Sequence, residues 1–354
     1  MKVLIVKLSS LGDVVHTLPV VQDILAAHPG AQIDWVVEKS FAPLLTPLVG
    51  AGLQRVIPCE LRRWTRALLA AETRQGWADF KRELRRSAYD TVIDLQGLTK
   101  SALVARLARL VPGGKRYAMA NQTEGSGYEA PTRWVADVAI PLAPHIHAVQ
   151  RGRELCARAL GYQPAPAPDY GLNRPPAHTP PGLAAPETIA FVHGTSRADK
   201  QWPIDNWVQL GRQLTALGYL IALPHGSDEE LATSQRIADA LDADAAPAAE
   251  GLAMIWPRLP LDELTQRFAQ CAGVIGVDSG LSHIAVALDL PHVQIYNFDT
   301  AWRTGPLPAS EGHAARQESV YAQPAPTVDA VWEAWSRCRA AGRPDPQDAQ
   351  GAAA

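Results

Sequence analysis

Apolar and polar positions along the first half of the chain follow the pattern of parallel βαβ units. Short apolar runs rich in β-branched residues predict strands at 3–6, 33–37, 55–57 and 91–94. Longer stretches with helical periodicity predict helices at 14–27 and 97–110. Strands that alternate with helices of about 10 to 15 residues indicate a parallel sheet covered by helices.

The second half repeats this alternation. Apolar runs predict strands at 189–193, 220–224, 273–277 and 292–296. Helical periodicity predicts helices at 203–217, 228–241, 261–271, 280–288 and 328–341. Eight prolines stand between Pro164 and Pro186, where the periodicity is lost, so this stretch is typical of a linker.

These patterns predict an α/β protein of two Rossmann-like parallel-sheet domains that face a ligand cleft. The expected segments are an N-terminal domain (1–165), a linker (166–186), a second domain (187–325), a final helix (326–342) and a disordered tail (343–354). The sequence leaves open whether the final helix packs back on the N-terminal domain. In open parallel sheets, ligands bind beyond the carboxyl ends of the strands. The turns after the strands are therefore the places to look for chemistry.

Length and composition narrow the class of protein. A chain of 354 residues suits two domains, and its net charge of −3 argues against a general nucleic-acid binder. The four cysteines are widely scattered, which favours reduced thiols over a zinc site or a disulfide framework. Apolar runs are too short for a membrane span, and residues 3–6 resemble a strand rather than a signal peptide. We expect a soluble, cytoplasmic protein.

The usual nucleotide fingerprints are missing. No complete G-x-G-x-x-G occurs, and Gly114-Lys115 is followed by arginine rather than serine or threonine. A dinucleotide dehydrogenase and a P-loop NTPase are therefore disfavoured.

The turn after the first strand carries KLSSLGDVVHTLP at residues 7–19. Gly12 allows the backbone to approach a ligand closely. Asp13 lies at the start of the next helix, where a carboxylate is either a helix cap or a base that takes a proton from a hydroxyl. The spacing alone leaves both interpretations open.

Two turns of the second half have a similar character. Residues 193–203, HGTSRADKQWP, place hydroxyls and Lys200 before a helix, which suits a pyrophosphate or a plain polar loop. Residues 278–283, DSGLSH, follow a buried strand and point helix amides at the same edge. His283 is either a ligand-facing residue or a core histidine, and Asp278 either a ligand-facing residue or a cap.

A basic segment lies between residues 62 and 86, with eight cations against three acidic residues. It is either a solvated helix face or a surface for anionic lipid headgroups. Residues 94–101, DLQGLTKS, add polar groups at the end of another strand.

Together these segments resemble the heptosyltransferase family of inverting glycosyltransferases, which have the GT-B architecture. The matching motifs are KLSSLGDVVHTLP, LRRW at 61–64, D-x-Q-G-L-x-K-S, T-S-R-A-D-K-x-W-P and D-S-G-L-S-H. The resemblance spans residues 1–296, and its N-terminal motif is similar to that of members that add the first inner-core heptose. It implies transfer of L-glycero-D-manno-heptose from ADP-heptose, a substrate, to Kdo of Kdo-lipid A, at the cytoplasmic face of the inner membrane. It implies no cofactor, no metal and no nucleic-acid partner.

The resemblance also implies roles for individual residues. Asp13 is expected to be the general base. The expected donor-binding residues are Thr195, Ser196, Lys200, Glu230, Leu259, Asp278, Ser279, Gly280 and His283. The expected acceptor-binding residues are Ser10, Gly12, His16, Arg62, Arg63, Gln96 and Lys100.

Three alternatives remain at this stage. Heptosyltransferase II or another inner-core transferase would differ in acceptor alone. A sugar-nucleotide epimerase of similar fold would use no acceptor, and a nucleotide-sugar binding protein would have no need of Asp13.

Overall fold

The computed structural model describes residues 1–67, 70–172, 187–243, 251–308 and 315–341. The described chain forms two compact units. One contains the residues up to 172 together with Pro260–Thr265, and the other contains the remainder.

The first unit is built on a parallel sheet of six strands. The strands are β1 (Lys2–Val6), β2 (Gln32–Glu38), β3 (Arg55–Cys59), β4 (Ala88–Asp94), β5 (Arg109–Met119) and β6 (Val138–Ile140). The helices are α1 (Leu11–Thr17), α2 (Pro19–Ala27), α3 (Ala42–Leu45), α4 (Leu61–Trp64), α5 (Ala71–Leu84), α6 (Thr99–Leu107), α7 (Pro131–Val135) and α8 (Ala148–Leu160). The strand order is β3-β2-β1-β4-β5-β6.

The second unit has a parallel sheet with the same topology. Its strands are β7 (Thr188–Val192), β8 (Leu220–Leu223), β9 (Ala253–Ile255), β10 (Gly273–Val277), β11 (His292–Tyr296) and β12 (Gln317–Tyr321), in the order β12-β11-β10-β7-β8-β9. The helices that follow residue 187 are α9 (Ile204–Thr215), α10 (Asp228–Asp242), α11 (Leu261–Gln270), α12 (Gly280–Ala287), α13 (Ala301–Thr304) and α14 (Val328–Ala340).

Both sheets have a topological switch point, because the chain winds first to one side of the first strand and then to the other. In the first unit the switch lies between β1 and β4, and in the second between β7 and β10. All four strands are buried almost throughout, as expected of central parallel strands. Ligands of doubly wound sheets bind at this point, beyond the carboxyl ends of the strands.

The predicted α/β class with two Rossmann-like sheets is confirmed, whereas several element bounds are wrong. The helix expected at 14–27 is two helices, because Pro19 opens α2 and has no N–H to continue α1. The helix expected to reach residue 110 ends at Leu107, and the chain then enters β5.

Most of the expected linker lies outside the described residues, and so does the expected tail from 343. The final helix, α14, packs on β11, β12 and α9 of the second unit. Its packing on the N-terminal domain stays open. No helix of the described chain is long and apolar enough to cross a membrane, and all four cysteines are buried and free of disulfides.

Candidate active site

The switch point of the first unit is held together by backbone contacts to Gln96. The Oε1 atom of Gln96, just after β4, accepts the backbone N–H groups of Leu8 (3.1 Å) and Ser9 (3.0 Å), just after β1. Asp94 supports this turn, since its Oδ1 accepts the N–H of Gln96 at 2.9 Å. Gln96, expected to bind the acceptor, thus uses its carbonyl to shape the loop that leads to α1.

Asp13 stands in the first turn of α1 beside two cations. Its Oδ1 lies 3.4 Å from Lys7 Nζ and 3.6 Å from Arg151 Nη2. Its Oδ2 accepts the backbone N–H of Ser10 at 3.1 Å. Asp13 is therefore both a helix cap and part of a charged cluster, and the two interpretations left open above are compatible.

The charges set the ionisation of this cluster. Burial favours the neutral form of Asp13, but Lys7, Arg151 and the Ser10 N–H outweigh it and lower the pKa of Asp13. Burial also lowers the pKa of the Lys7 ammonium, against the pull of Asp13 and Asp94. Burial raises the pKa of Asp94 to about 6. Asp13 is hence a carboxylate at neutral pH, and one third of its side chain is exposed.

Arg151 reaches Asp13 from α8, an element that the sequence analysis did not predict. The neighbouring Arg153 is fully buried and donates to both carboxylate oxygens of Asp23 on α2, at 2.7 and 2.9 Å. This pair fixes α8 against α2. Arg151 is further held by Thr123, whose Oγ1 accepts from its Nη1 at 3.3 Å.

The other expected acceptor residues of α1 lie around this cluster. Gly12 is the second residue of α1 and Ser10 its N-cap. His16 is buried on α1, with its ring centroid 6.2 Å from that of His147, the N-cap of α8. Ser10, Gly12 and Asp13 therefore lie together at the N-terminus of α1, and His16 lies in its last turn.

Arg62 and Lys100 are linked through Glu38 at the end of β2. Burial raises the pKa of Glu38, and the positive charges of Arg62 and Lys100 partly oppose that shift. Arg62 also donates its backbone N–H to Glu38 Oε1 at 3.3 Å. Arg63 is separate from this group, because its exposed guanidinium pairs with Glu60 at 3.5 Å and Glu72 at 2.8 Å.

In the second unit, Asp278 lies at the centre of the site at the end of β10. Its Oδ2 is 2.5 Å from Lys200 Nζ, and its Oδ1 is 3.6 Å from His283 Nε2. Thr304 Oγ1 donates to Oδ1 at 3.5 Å, and Thr195 Oγ1 donates to the Asp278 carbonyl at 3.3 Å. Asp278 and His283 are both buried. The turns after β7 and β10 therefore meet at the switch point, as predicted.

The loop that carries Lys200 is anchored by Asn297, which follows β11. Its Nδ2 donates to the carbonyls of Asp199 (3.1 Å) and Gln201 (2.9 Å). Ser196 is exposed on the same loop. Ser279 is the N-cap of α12 and Gly280 its first residue. The buried Ser279 Oγ has no hydrogen-bond partner within the described chain.

Glu230 packs against the turn after β7. Its Oε2 accepts the Gly226 N–H at 2.6 Å, and a Cβ on Gly194 would lie only 2.4 Å from its Oε1. Any side chain at position 194 would therefore displace the Glu230 carboxylate from its present position. Leu259 lies half-buried on the loop after β9. Glu230 and Leu259 both belong to the second unit, with the other expected donor residues.

Sequence reasoning missed four side chains that complete the two sites: Lys7, Arg151, Thr304 and Asn297. Lys7 stands inside the first motif, and Asn297 directly follows the strand predicted at 292–296, so their positions could have suggested them. Arg151 and Thr304 come from elements without a motif. No group of three or more His, Cys, Asp or Glu residues in the described chain is placed to hold a metal ion.

Two Rossmann-like sheets, each with polar side chains at its switch point, define the GT-B class of architecture. The sequence profile of glycosyltransferase family 9 (heptosyltransferase) matches residues 77–326. The chain therefore belongs to this family and is a glycosyltransferase.

Individual relatives agree with the family. Lipopolysaccharide heptosyltransferase 1 of Salmonella typhimurium is 38% identical over 298 residues, which cover 84% of this chain and 88% of the relative. The structure of the E. coli heptosyltransferase WaaC with ADP matches with a TM-score of 0.78 and 33% identity, over 94% of this chain and 98% of WaaC. WaaC with ADP-2-deoxy-2-fluoro heptose matches with a TM-score of 0.74 over the same shares.

Proposed function

We propose that this enzyme transfers L-glycero-D-manno-heptose from ADP-heptose to Kdo of Kdo-lipid A, with inversion at the anomeric carbon. The observation that carries the proposal is the ionised Asp13 beside Lys7 and Arg151 at the switch point of the first unit. The proposal is supported by the 38% identity to a heptosyltransferase 1 and by the WaaC complexes with ADP and a fluorinated ADP-heptose.

Asp13 acts as the general base of a single displacement. The acceptor hydroxyl gives its proton to Asp13 while its oxygen bonds to the anomeric carbon. The bond from that carbon to the phosphate oxygen breaks, and ADP leaves with the electron pair. The low pKa keeps Asp13 ready to accept the proton at neutral pH.

The second unit binds the donor. Lys200, Thr195 and Ser196 hold the diphosphate, and the N-terminal amides of α12 with Ser279 and Gly280 point toward the same edge. Asp278 and His283 line the sugar and diphosphate, with Leu259 beside them, and Glu230 binds the ribose. Because Lys200 is paired with Asp278, the diphosphate shares the ammonium with this carboxylate rather than meeting an isolated cation.

The acceptor is an anion, and the first unit offers cations to receive it. The Kdo carboxylate binds near Lys7 and Arg151, with Ser10, Gly12, His16 and Gln96 shaping the loop around the reacting hydroxyl. Arg62, Arg63 and Lys100 face the acidic lipid portion. An acceptor of this kind places the enzyme at the cytoplasmic face of the inner membrane as a peripheral protein.

The proposal requires no cofactor. Lys200 and the helix amides stabilise the charge that builds on departing ADP, an effect of about 3–4 kcal/mol for a well-placed donor. We therefore expect EDTA to leave the rate unchanged. A rate that falls with EDTA and returns with a divalent cation would show a metal requirement instead.

The test is ADP release from ADP-heptose with Kdo-lipid A, with a heptosylated acceptor and with no acceptor. Release that depends on Kdo-lipid A supports the proposal. Release only with the heptosylated acceptor would assign the second transfer, and conversion of the donor without any acceptor would favour an epimerase.

A further inference from the structure

Two helices of the first unit that pack against each other each expose one large apolar side chain. Trp134 on α7 is 72% exposed and Leu103 on α6 is 48% exposed, and the two helices pack against each other. Every other tryptophan of the chain is buried or half-buried. Large apolar side chains of adjacent elements that remain in water are a feature of interaction surfaces.

Cations lie on the same two helices as Leu103 and Trp134. Lys100 and Arg106 lie on α6, and Arg133 lies on α7. Two carboxylates of this region keep their negative charge. Glu129 accepts the Thr99 N–H at 2.8 Å, and Asp137 accepts the Arg116 N–H at 2.7 Å. Arg116 also lies 3.8 Å from Asp137 and donates to the Ala105 carbonyl of α6. Four cations (Lys100, Arg106, Arg116 and Arg133) thus outnumber the two carboxylates (Glu129 and Asp137), and this region carries a net positive charge.

The start of α6 lies close to the candidate acceptor site. Helix α6 begins five residues after β4 ends, beyond the carboxyl edge where Asp94 and Gln96 shape the candidate site. Lys100, proposed above to face the acceptor, is in its first turn. A bilayer that holds the acceptor at this edge would lie next to α6 and α7.

We propose that the α6–α7 surface (Lys100, Leu103, Arg106, Arg133 and Trp134) docks on an anionic phospholipid bilayer. Trp134 and Leu103 enter the headgroup region, where tryptophan is favoured because its ring is apolar and its N–H is polar. The cations pair with lipid phosphates. This inference rests on the proposed function, because the acceptor's lipid anchor explains why the enzyme needs a bilayer.

The experiment is sedimentation of the full chain with phosphatidylglycerol vesicles and with phosphatidylcholine vesicles. The wild type should bind the anionic vesicles more tightly. The double variant Trp134→Ser, Leu103→Ser should bind them at least about ten-fold more weakly, because apolar burial is lost. Arg106→Gln, Arg133→Gln should lose about five-fold for each cation removed.

Leu217→Ser is the matched control, because Leu217 is 56% exposed but belongs to the second unit. It should bind vesicles as the wild type does. Equal vesicle binding by the wild type and the Trp134→Ser, Leu103→Ser variant would overturn the inference, as would a wild type that binds neither vesicle.

Transfer assays separate this inference from the proposed function. With a water-soluble, short-chain Kdo acceptor, the Trp134→Ser, Leu103→Ser variant should match the wild type. With Kdo-lipid A in anionic vesicles it should be at least about ten-fold slower at low lipid. Vesicle binding that depends on Trp134, without transfer to either acceptor, would reject the proposed function and leave the docking surface standing.

Discussion

At the scale of single residues, the proposed catalysis depends on the charges around Asp13. Lys7 and Arg151 keep Asp13 ionised, but they also make it a weaker base. An anionic acceptor that binds the same two cations would draw them away from Asp13. Its pKa would then rise in the complex, when the acceptor hydroxyl is in place to lose its proton.

Replacing Arg151 with methionine tests this balance. We expect the acidic limb of the kcat/KM profile to move to higher pH, because Asp13 loses one of the cations that lower its pKa. We also expect kcat/KM at neutral pH to fall roughly ten-fold or more, because a charge-assisted contact is lost. Arg151→Lys should keep most of the profile. An unchanged acidic limb in Arg151→Met would show that Arg151 does not tune Asp13.

The raised pKa of Asp94 leads to a separate prediction about the stability of the protein. Its pKa is raised to about 6 in the folded state, above the usual value near 4 in the unfolded chain. The stability that its protonated form contributes is therefore present below about pH 4 and lost as the pH rises through about 6. Relative to Asp94→Asn, the wild type should lose up to about 3 kcal/mol of unfolding free energy across that range.

Asparagine is a suitable replacement because its carbonyl can still accept the N–H groups of Gln96 and Gly97, and its amide can face Ser101 Oγ. Urea unfolding at several pH values measures the difference. A constant difference between the two proteins from pH 4 to pH 7 would contradict the raised pKa.

At the scale of elements, the central strands and their turns are predictable from sequence, whereas several polar or half-exposed strands are not. The strands β1, β7 and β10 are almost entirely apolar, and β4 has an apolar pair, Val92 and Ile93, just before its end, so the carboxyl ends of these strands locate both sites. The edge strand β12, QESVY, and much of β5 are polar or half-exposed, and their pattern gives no strong signal. Arg151 lies on α8, far from Asp13 in sequence, and no local motif marks it. Only the packing of α8 in the folded unit brings Arg151 to Asp13.

The turn after β7 illustrates how one small residue controls an element. Gly194→Ala would place a Cβ 2.4 Å from Glu230 Oε1, so the Glu230 carboxylate must rotate away from its present position. We expect ADP binding to weaken by up to about ten-fold, because the proposed hydrogen bond from the ribose to Glu230 is lost, while the pH dependence attributed above to Asp13 stays unchanged. Gly152→Ala, on α8, is the control, because its Cβ would meet only Val20 at an ordinary 3.5 Å.

Calorimetric titration with ADP measures the effect of this substitution. ADP affinity equal to that of the wild type in Gly194→Ala would show that Glu230 and its turn are not part of the donor site. Weakened binding in Gly152→Ala as well would point to general destabilisation rather than a local effect.

At the scale of the whole molecule, two sheets of the same topology each carry a polar site at the switch point. The side chains at the two points differ in kind. The first unit has a carboxylate between two cations, which suits an anionic acceptor. The second has hydroxyls, helix amides and a lysine–aspartate pair, which suit a nucleotide diphosphate. Chemistry and donor binding should therefore be separable by mutation.

The proposed role of Asp13 as the general base is tested most directly by comparing wild type with Asp13→Asn in single-turnover heptose transfer to Kdo-lipid A. ADP affinity is measured on the same samples. Asparagine keeps the shape of the side chain but cannot take the proton. We predict that transfer slows by about 10²–10⁴-fold and that ADP affinity stays within about two-fold of wild type. Transfer at the wild-type rate, or lost ADP binding with retained transfer, would contradict Asp13 as the general base.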